Sequence, residues 1–332
     1  MVDLDKLIAD LPLTPDMAER DGNVYNAIVI PDHENHRVGK DSRGLPLILL
    51  TIDPDTRITP SPPIKLENLQ VLHNAYCRIL LPDGRLEQGQ FTVLQCISYE
   101  SSLQVYFLKV VSALLLSLPK SPQQEQIQIA VENLIRLFRA MQQPARKTLQ
   151  GLWAEVYLIS RVRNPISLVR AWHALPNETH DFGSDEILIE VKSSSTRSRN
   201  HHFSLNQLLP HEGTKLIVAS VFVERASSGK SIEKLSTKIR KKLSKEPQLL
   251  IHYDQVLALT LGDSWKDSID VRFNTKLAKQ SLEFYDSATI PTVPLPLPKG
   301  VSNVRFISSL SESKPIERSQ LKVQNDLLRT FL

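Results

Sequence analysis

Glycine is scarce, 11 residues in 332, and none of them falls in a Gly-rich phosphate loop. A nucleotide-driven motor needs such a loop to cradle phosphates, so ATPase activity within this chain is not expected; any energy source would come from a partner. Cysteine is scarcer still. Cys77 and Cys96 cannot make a zinc site alone, and each lies in a strand-like segment, so both are expected as buried thiols in a reducing cytoplasm. Long apolar runs are missing too. The longest, VYFLKVVSALLLSL, falls short of the roughly 18 residues that a membrane span needs and contains Lys109. The start, MVDLDKLIAD, is acidic where a secretory leader is basic, so no such leader is expected. The net charge of +4 is mild: it permits nucleic acid as a partner without arguing for it.

The chain is long enough for two domains, and its 41% hydrophobic content can supply a core for each. No internal repeat is present. Residues 1–120 read as an α+β domain, with CRILLPDGRLEQGQFTVLQCIS as two strands joined through Pro82-Asp83-Gly84 and the proline-rich stretch 52–64 as a loop. Over 121–144, Ile127, Ala130, Leu134, Leu137, Phe138 and Met141 recur at helical spacing. Ser121 is the expected cap, Pro122 the first-turn residue and Pro144 the stop, giving a helix that links two domains. Residues 145–332 read as α/β. A helix is expected over 146–162, with strands at ISLVRAWHAL, EILIEVKSS, KLIVASVFVE, QVLALTLG and VSNVRFISSL. Helical pieces are expected at SLNQLL and SIEKLSTKIRKKLS, and the proline-rich ATIPTVPLPLPKG should be extended.

The chemistry concentrates in EILIEVKSSS. Glu190 and Lys192 are two apart in an apolar strand, so they share a face while Val191 points the other way. Nine residues before Glu190 lies Asp181, followed by the turn-like FGSDE. A hairpin here would bring the two carboxylates to one Mg²⁺ or Mn²⁺ ion, which prefer such hard oxygen ligands. Lys192 would then orient an attacking water, help it lose a proton, or steady a phosphate's charge. These residue types fit hydrolysis of a phosphodiester. Glu312-Ser313-Lys314 repeats the acid-x-Lys triplet, but between serines and a proline, where a solvated loop is expected. Glu155 adds a further acid. Its helical neighbours Gly151, Leu152, Leu158 and Ile159 are apolar or Gly, so it must be paired, with Arg161 or Arg163 for example, or lie beside Asp181 and Glu190. Asp185 and Glu186, in the turn, compete with Asp181 as the acid.

In this order, GLWAEVYLIS, HDF and IEVKSSS resemble the PD-(D/E)XK nuclease superfamily. The wider chain, including FYDSATIPTVPLPLPKGVSNVRFISSL, is similar to an uncharacterised bacterial family of PD-(D/E)XK-motif proteins. The resemblance implies a restriction-endonuclease-like fold, a mixed sheet flanked by helices, with an N-terminal α+β domain. It implies a metal-dependent DNA endonuclease in a phage-defence or restriction-like system, near ATPase-type partner proteins. Asp181 and Glu190 would bind Mg²⁺ or Mn²⁺, with the Val191 carbonyl; Lys192 would be the catalytic lysine, Glu155 the helix acid, as a further metal ligand or an acid supporting the ligands, and Gln207 a polar helix residue near the site. His180 stands where the name places proline.

The helix near 232–245 carries Ile232, Leu235, Ile239 and Leu243 in one stripe, and Lys234, Lys238, Arg240, Lys241, Lys242 and Lys245 on its other faces. Lys238, Lys241 and Lys242, with Arg197 and Arg199 after the strand, are the expected DNA contacts; a solvated face is the plainer reading. His201 and His202 lack a partner cluster for a metal. The competing function is a non-catalytic nuclease-fold subunit that binds or scaffolds, and diverging Asp181 and Glu190 carboxylates would favour it. An RNA substrate stays open. Double-strand cutting would need two sites, hence a homodimer or repeated nicking.

Overall fold

A computed structural model describes residues 2–12, 23–53, 59, 61–173, 179–210, 212–317 and 320. The chain divides into two compact units, Met1–Pro144 with Glu246–Lys266, and Ala145–Lys245 with Asp267–Leu332. No helix among the described residues is long and apolar enough to cross a membrane.

The first unit holds α1 (Leu4–Ile8), six strands, and the helices α2 (Ser101–Ser117) and α3 (Gln124–Ala140). The strands are β1 (Asn23–Ile30), β2 (His33–Lys40), β3 (Pro46–Leu50), β4 (Ile64–Lys65), β5 (Leu69–Leu80) and β6 (Leu86–Cys96). They run in the order β1-β2-β3-β6-β5-β4, and β1 also pairs with β5, which closes five of them into a ring. Alternate residues of these strands fill its interior: Tyr25 and Ala27, Leu47 and Leu49, Cys77 and Ile79, Phe91 and Val93. Leu80 and Leu86 close the β5–β6 hairpin as expected, with Gly84 at φ 83° in the turn. Both cysteines are free and buried. Of the proline-rich stretch 52–64, residues 54–58 and 60 lie outside the described residues.

α3 begins at Gln124, with Gln123 and Gln126 forming a capping box, so Ser121 is not its cap. It is grouped with the first unit. QVLALTLG is not a strand: it completes a helix, Pro247–Leu261, that packs on α2 and α3. That helix is buried on nearly every side, which erases the 3.6-residue period and leaves an apolar run that looks like a strand.

The second unit is built on α4 (Leu149–Arg161), α5 (Ile166–Ala171) and the strands β7 (Phe182–Gly183), β8 (Ile187–Ser194), β9 (Asn200–Ser204), β10 (Lys215–Phe222) and β11 (Arg225–Lys230). It continues with α6 (Ile232–Lys242), a short helix Thr275–Ser281, β12 (Glu283–Asp286) and β13 (Arg305–Ser309). The main sheet has the order β12-β10-β8-β7; β8 and β10 are parallel, and its other pairs antiparallel. β9 and β13 form a separate hairpin. Mixed strands with helices on them give the expected α/β architecture. The ISLVRA segment is a helix, not a strand: Asn164 accepts a hydrogen bond from the Ile166 N–H at 3.2 Å and starts the turn. Residues 174–178, which include the end of that expected strand, lie outside the described residues.

β8 and β10 occupy the sheet centre and are buried almost throughout, which is why ILIEV reads as nearly continuous apolar sequence. α4 packs on β8, capped by Thr148, whose hydroxyl accepts from the Gly151 N–H at 3.2 Å. Ile189 is fully buried in β8. Ile189→Ala should cost about 2–5 kcal/mol of unfolding free energy in a urea titration; a loss below about 1 kcal/mol would show that this strand is not the core of its unit.

Candidate active site

The β7–β8 register sets the site. Phe182 faces Ile189 and Gly183 faces Leu188, so the next step outward puts Asp181 across from Glu190. Ser184 ties the turn, its N–H donating to the Ile187 carbonyl at 2.9 Å and its hydroxyl accepting from the Ile187 N–H at 3.1 Å. Asp185 and Glu186 are exposed in that turn, whereas Asp181 is buried and its Oδ2 accepts from the Val191 N–H at 2.8 Å. Of the three competing acids, the fold therefore carries Asp181 to Glu190.

Glu190 is 3% exposed. Its Oε1 accepts from Gln207 Nε2 at 2.6 Å and pairs with Lys192 Nζ at 2.9 Å. Gln207 sits in a 3-10 turn, Leu205–Leu208, and its Oε1 accepts both Lys192 Nζ and the Ser204 N–H at 3.0 Å. Between a carboxylate and an ammonium, only one orientation of the amide satisfies both. Lys192 Nζ also lies 4.7 Å from the centre of the Phe203 ring. Glu190 Oε2 is buried with no hydrogen-bond partner among the described residues.

Glu155 enters the same region from α4, but not paired with Arg161 or Arg163 as the sequence suggested. Its Oε2 accepts from Trp172 Nε1 at 2.7 Å and lies 3.1 Å from His173 Nε2; its Oε1 accepts from Lys147 Nζ at 2.8 Å. Lys147 also donates to Asp181 Oδ1 and lies 3.2 Å from His173 Nε2. Ligand atoms of Glu155, His173 and Asp181 are all within 4.8 Å of one another.

Sequence reasoning missed Lys147 and His173. His173 is placed by a short pairing, with Trp172 opposite Phe182 and the His173 N–H donating to the Asp181 carbonyl at 3.1 Å. It adopts φ 45°, which re-aims its ring. The order AWH…HDF was the available signal. For Lys147 the signal was its place one residue before a good cap, eight before Glu155, about two turns of chain.

Burial dominates the electrostatics. It raises the Glu190 carboxyl to about 8, helped by the Asp181 charge and opposed by Lys192. Burial and the nearby Glu155 charge likewise raise Asp181. Burial would raise Glu155 as well, but His173 and Lys147 outweigh it and hold Glu155 below its ordinary value. For Lys147 burial works downward, and Glu155 and Asp181 overcome it, so its ammonium is held more firmly than usual.

The expected nucleic-acid contacts separate into two groups. Arg199 is directed inward, with Nη1 on Ser220 Oγ at 2.7 Å and Nη2 on the Ser281 carbonyl at 2.7 Å and on Glu283. Lys238 and Lys242 donate to the Ser160 and Val162 carbonyls at the end of α4, where a helix leaves carbonyls unsatisfied. Arg240, expected on an open face of α6, is buried. Arg197 and Lys241 remain exposed, Arg197 paired with Glu224 at 2.6 Å. His201 is buried on Ser220 Oγ at 2.8 Å, and burial pulls it down to about 4. Glu312 and Lys314 are exposed outside any strand or helix, as the sequence reading expected.

The raised Glu190 sets a pH dependence with a definite sign. Between its ordinary 4.5 and about 8 the folded protein keeps a proton that the unfolded chain releases. Metal-free stability should therefore be greatest below pH 4.5 as far as this group is concerned, and fall as pH rises to 8, by at most about 1.4 kcal/mol per pH unit. Glu190→Gln should flatten the part due to this group. Urea midpoints from pH 5 to 8 test it; equal slopes in wild type and variant would contradict the assignment.

Searches of curated proteins and of solved structures found no match. A family model described as "Putative PD-(D/E)XK family member, (DUF4420)" matches residues 16–311, most of the chain. Proteins of this fold generally use divalent metal ions, and membership supports a nuclease-type function. With Asp181 one residue before β7, Glu190 and Lys192 on β8, and the family model matching most of its length, the protein belongs to this PD-(D/E)XK family.

Proposed function

We propose that the protein is a metal-dependent DNA endonuclease that hydrolyses phosphodiesters, with Mg²⁺ or Mn²⁺ as its ion. The observation that carries this reading is the unpartnered, buried Glu190 Oε2 beside Lys192 and within the field of Asp181. A buried carboxylate oxygen without a donor is costly unless something positive meets it. Asp181 and Glu190, with the Val191 carbonyl, are the residues that would hold the ion, and Glu155 is near enough to Asp181 to join them. These hard donors fit Mg²⁺ or Mn²⁺. When bound, such an ion supplies charge to the phosphate oxygens and makes water more acidic.

The chain's own residues do the rest. Lys192 is held by Glu190 and Gln207, so its ammonium has one position, with the charge that a phosphate under attack requires. Gln207 positions both partners at once and is a positioning residue. Water adds to phosphorus, the P–O bond to the leaving strand breaks, and that oxygen takes up a proton. Arg197 and Lys241 are the proposed contacts to the nucleic-acid backbone; Arg199, Lys238 and Lys242 would have to give up interior bonds to join them. The proposed setting is a cytoplasmic phage-defence or restriction-like system with an ATPase-type partner and a homodimer for double-strand cuts. Its support is the family resemblance and, for a reducing compartment, the two free buried thiols.

Cleavage of plasmid and linear DNA with Mg²⁺ or Mn²⁺ tests the reading, with RNA as a parallel substrate. Lys192→Ala and Asp181→Ala should each lose about 100-fold or more in rate. Cleavage surviving in both would contradict the site, and preferential cutting of RNA would contradict the substrate.

A further inference from the structure

Lys147 lies among the three side chains whose ligand atoms are grouped within 4.8 Å: it bonds Glu155 Oε1 at 2.8 Å and Asp181 Oδ1, and is 3.2 Å from His173 Nε2. Two carboxylate oxygens and an imidazole nitrogen are metal-ligand chemistry, yet here they surround an ammonium. We propose that Lys147 is a resident cation that keeps this position among Glu155, His173 and Asp181 in the metal-free protein and gives it up to a divalent ion. The inference rests on the metal-dependent reading above and names its regulation: the ion enters by exchange with a lysine.

The surroundings allow such an exchange. The Lys147 side chain is 34% exposed, against 3% for Glu155 and 7% for Asp181, so the amine reaches the acids from the solvent side. Its residue precedes the Thr148 cap, outside α4, and four rotatable bonds let the amine swing out without moving the helix. The acids cannot follow it. Glu155 is fixed by Trp172 Nε1 at 2.7 Å, and Asp181 by the Val191 N–H at 2.8 Å. Once the amine leaves, two buried carboxylates face each other and attract the strongest available cation. The nitrogen of His173 makes Mn²⁺ a better occupant than Mg²⁺, which prefers oxygen alone. Lys192 has a different role, because its partners Glu190 and Gln207 hold it outside this trio.

Titration calorimetry with Mn²⁺ on the full chain tests the exchange. Lys147→Met and Lys147→Gln should bind Mn²⁺ at least about tenfold more tightly than wild type, because no ammonium has to be displaced. Asp181→Asn should lose binding. Should neither Lys147 variant fold, acylation of the Lys147 amine in the wild type decides. Measured by peptide mass spectrometry, it should rise several-fold when Mn²⁺ saturates the protein. Equal or weaker Mn²⁺ binding by folded Lys147 variants overturns the exchange, as does unchanged acylation where those variants do not fold. In either case, wild-type binding that Asp181→Asn abolishes leaves the metal-dependent reading standing. No Mn²⁺ bound by the wild type or any variant overturns both.

Discussion

Three carboxylates, Glu155, Asp181 and Glu190, are buried near one another, and the second unit is organised around making that tolerable. Charge taken out of water is costly unless it is neutralised and hydrogen-bonded. The fold answers with two ammonium groups, Lys147 and Lys192, and a ring of neutral donors, Trp172, Gln207 and the Val191 amide. These donors come from the end of α5, the 3-10 turn and β8, and Glu155 from α4, so all four have to be in register before the acids can be buried.

Burial, with the Asp181 charge behind it and Lys192 against it, is why Glu190 titrates high. A divalent ion needs these carboxylates ionised, so metal binding here is expected to strengthen with pH.

Much of this was legible in the sequence, for definite reasons. Glu190 and Lys192 show themselves because a strand's period of two puts them on one face amid apolar residues, and the turn after Asp181 returns that acid to them. Glu155 shows itself as an acid on an apolar helix face. Lys147 and His173 do not, because one lies in a polar segment before a cap and the other depends on a left-handed backbone turn. The order AWH…HDF and the place of Lys147 before the Thr148 cap are the faint local signals, and neither discloses the contact with Asp181. The helices at 166–171 and 247–261 look like strands in the sequence for related reasons: a short apolar run shows no period, and burial on nearly all sides removes it. The face of α6 that carries its lysines does not disclose that Lys238 and Lys242 reach the carbonyls ending α4.

Crystals of the protein soaked in Mn²⁺ give the most direct test, read from anomalous scattering at the manganese edge. The account predicts a peak roughly 2 Å from a carboxylate oxygen of Asp181, the acid that faces both Glu190 and the Glu155–His173 group, with Lys192 still bound to Gln207. A peak elsewhere, or none at millimolar Mn²⁺ in a lattice that leaves the site open, would contradict the claim that these buried acids exist to hold a divalent ion.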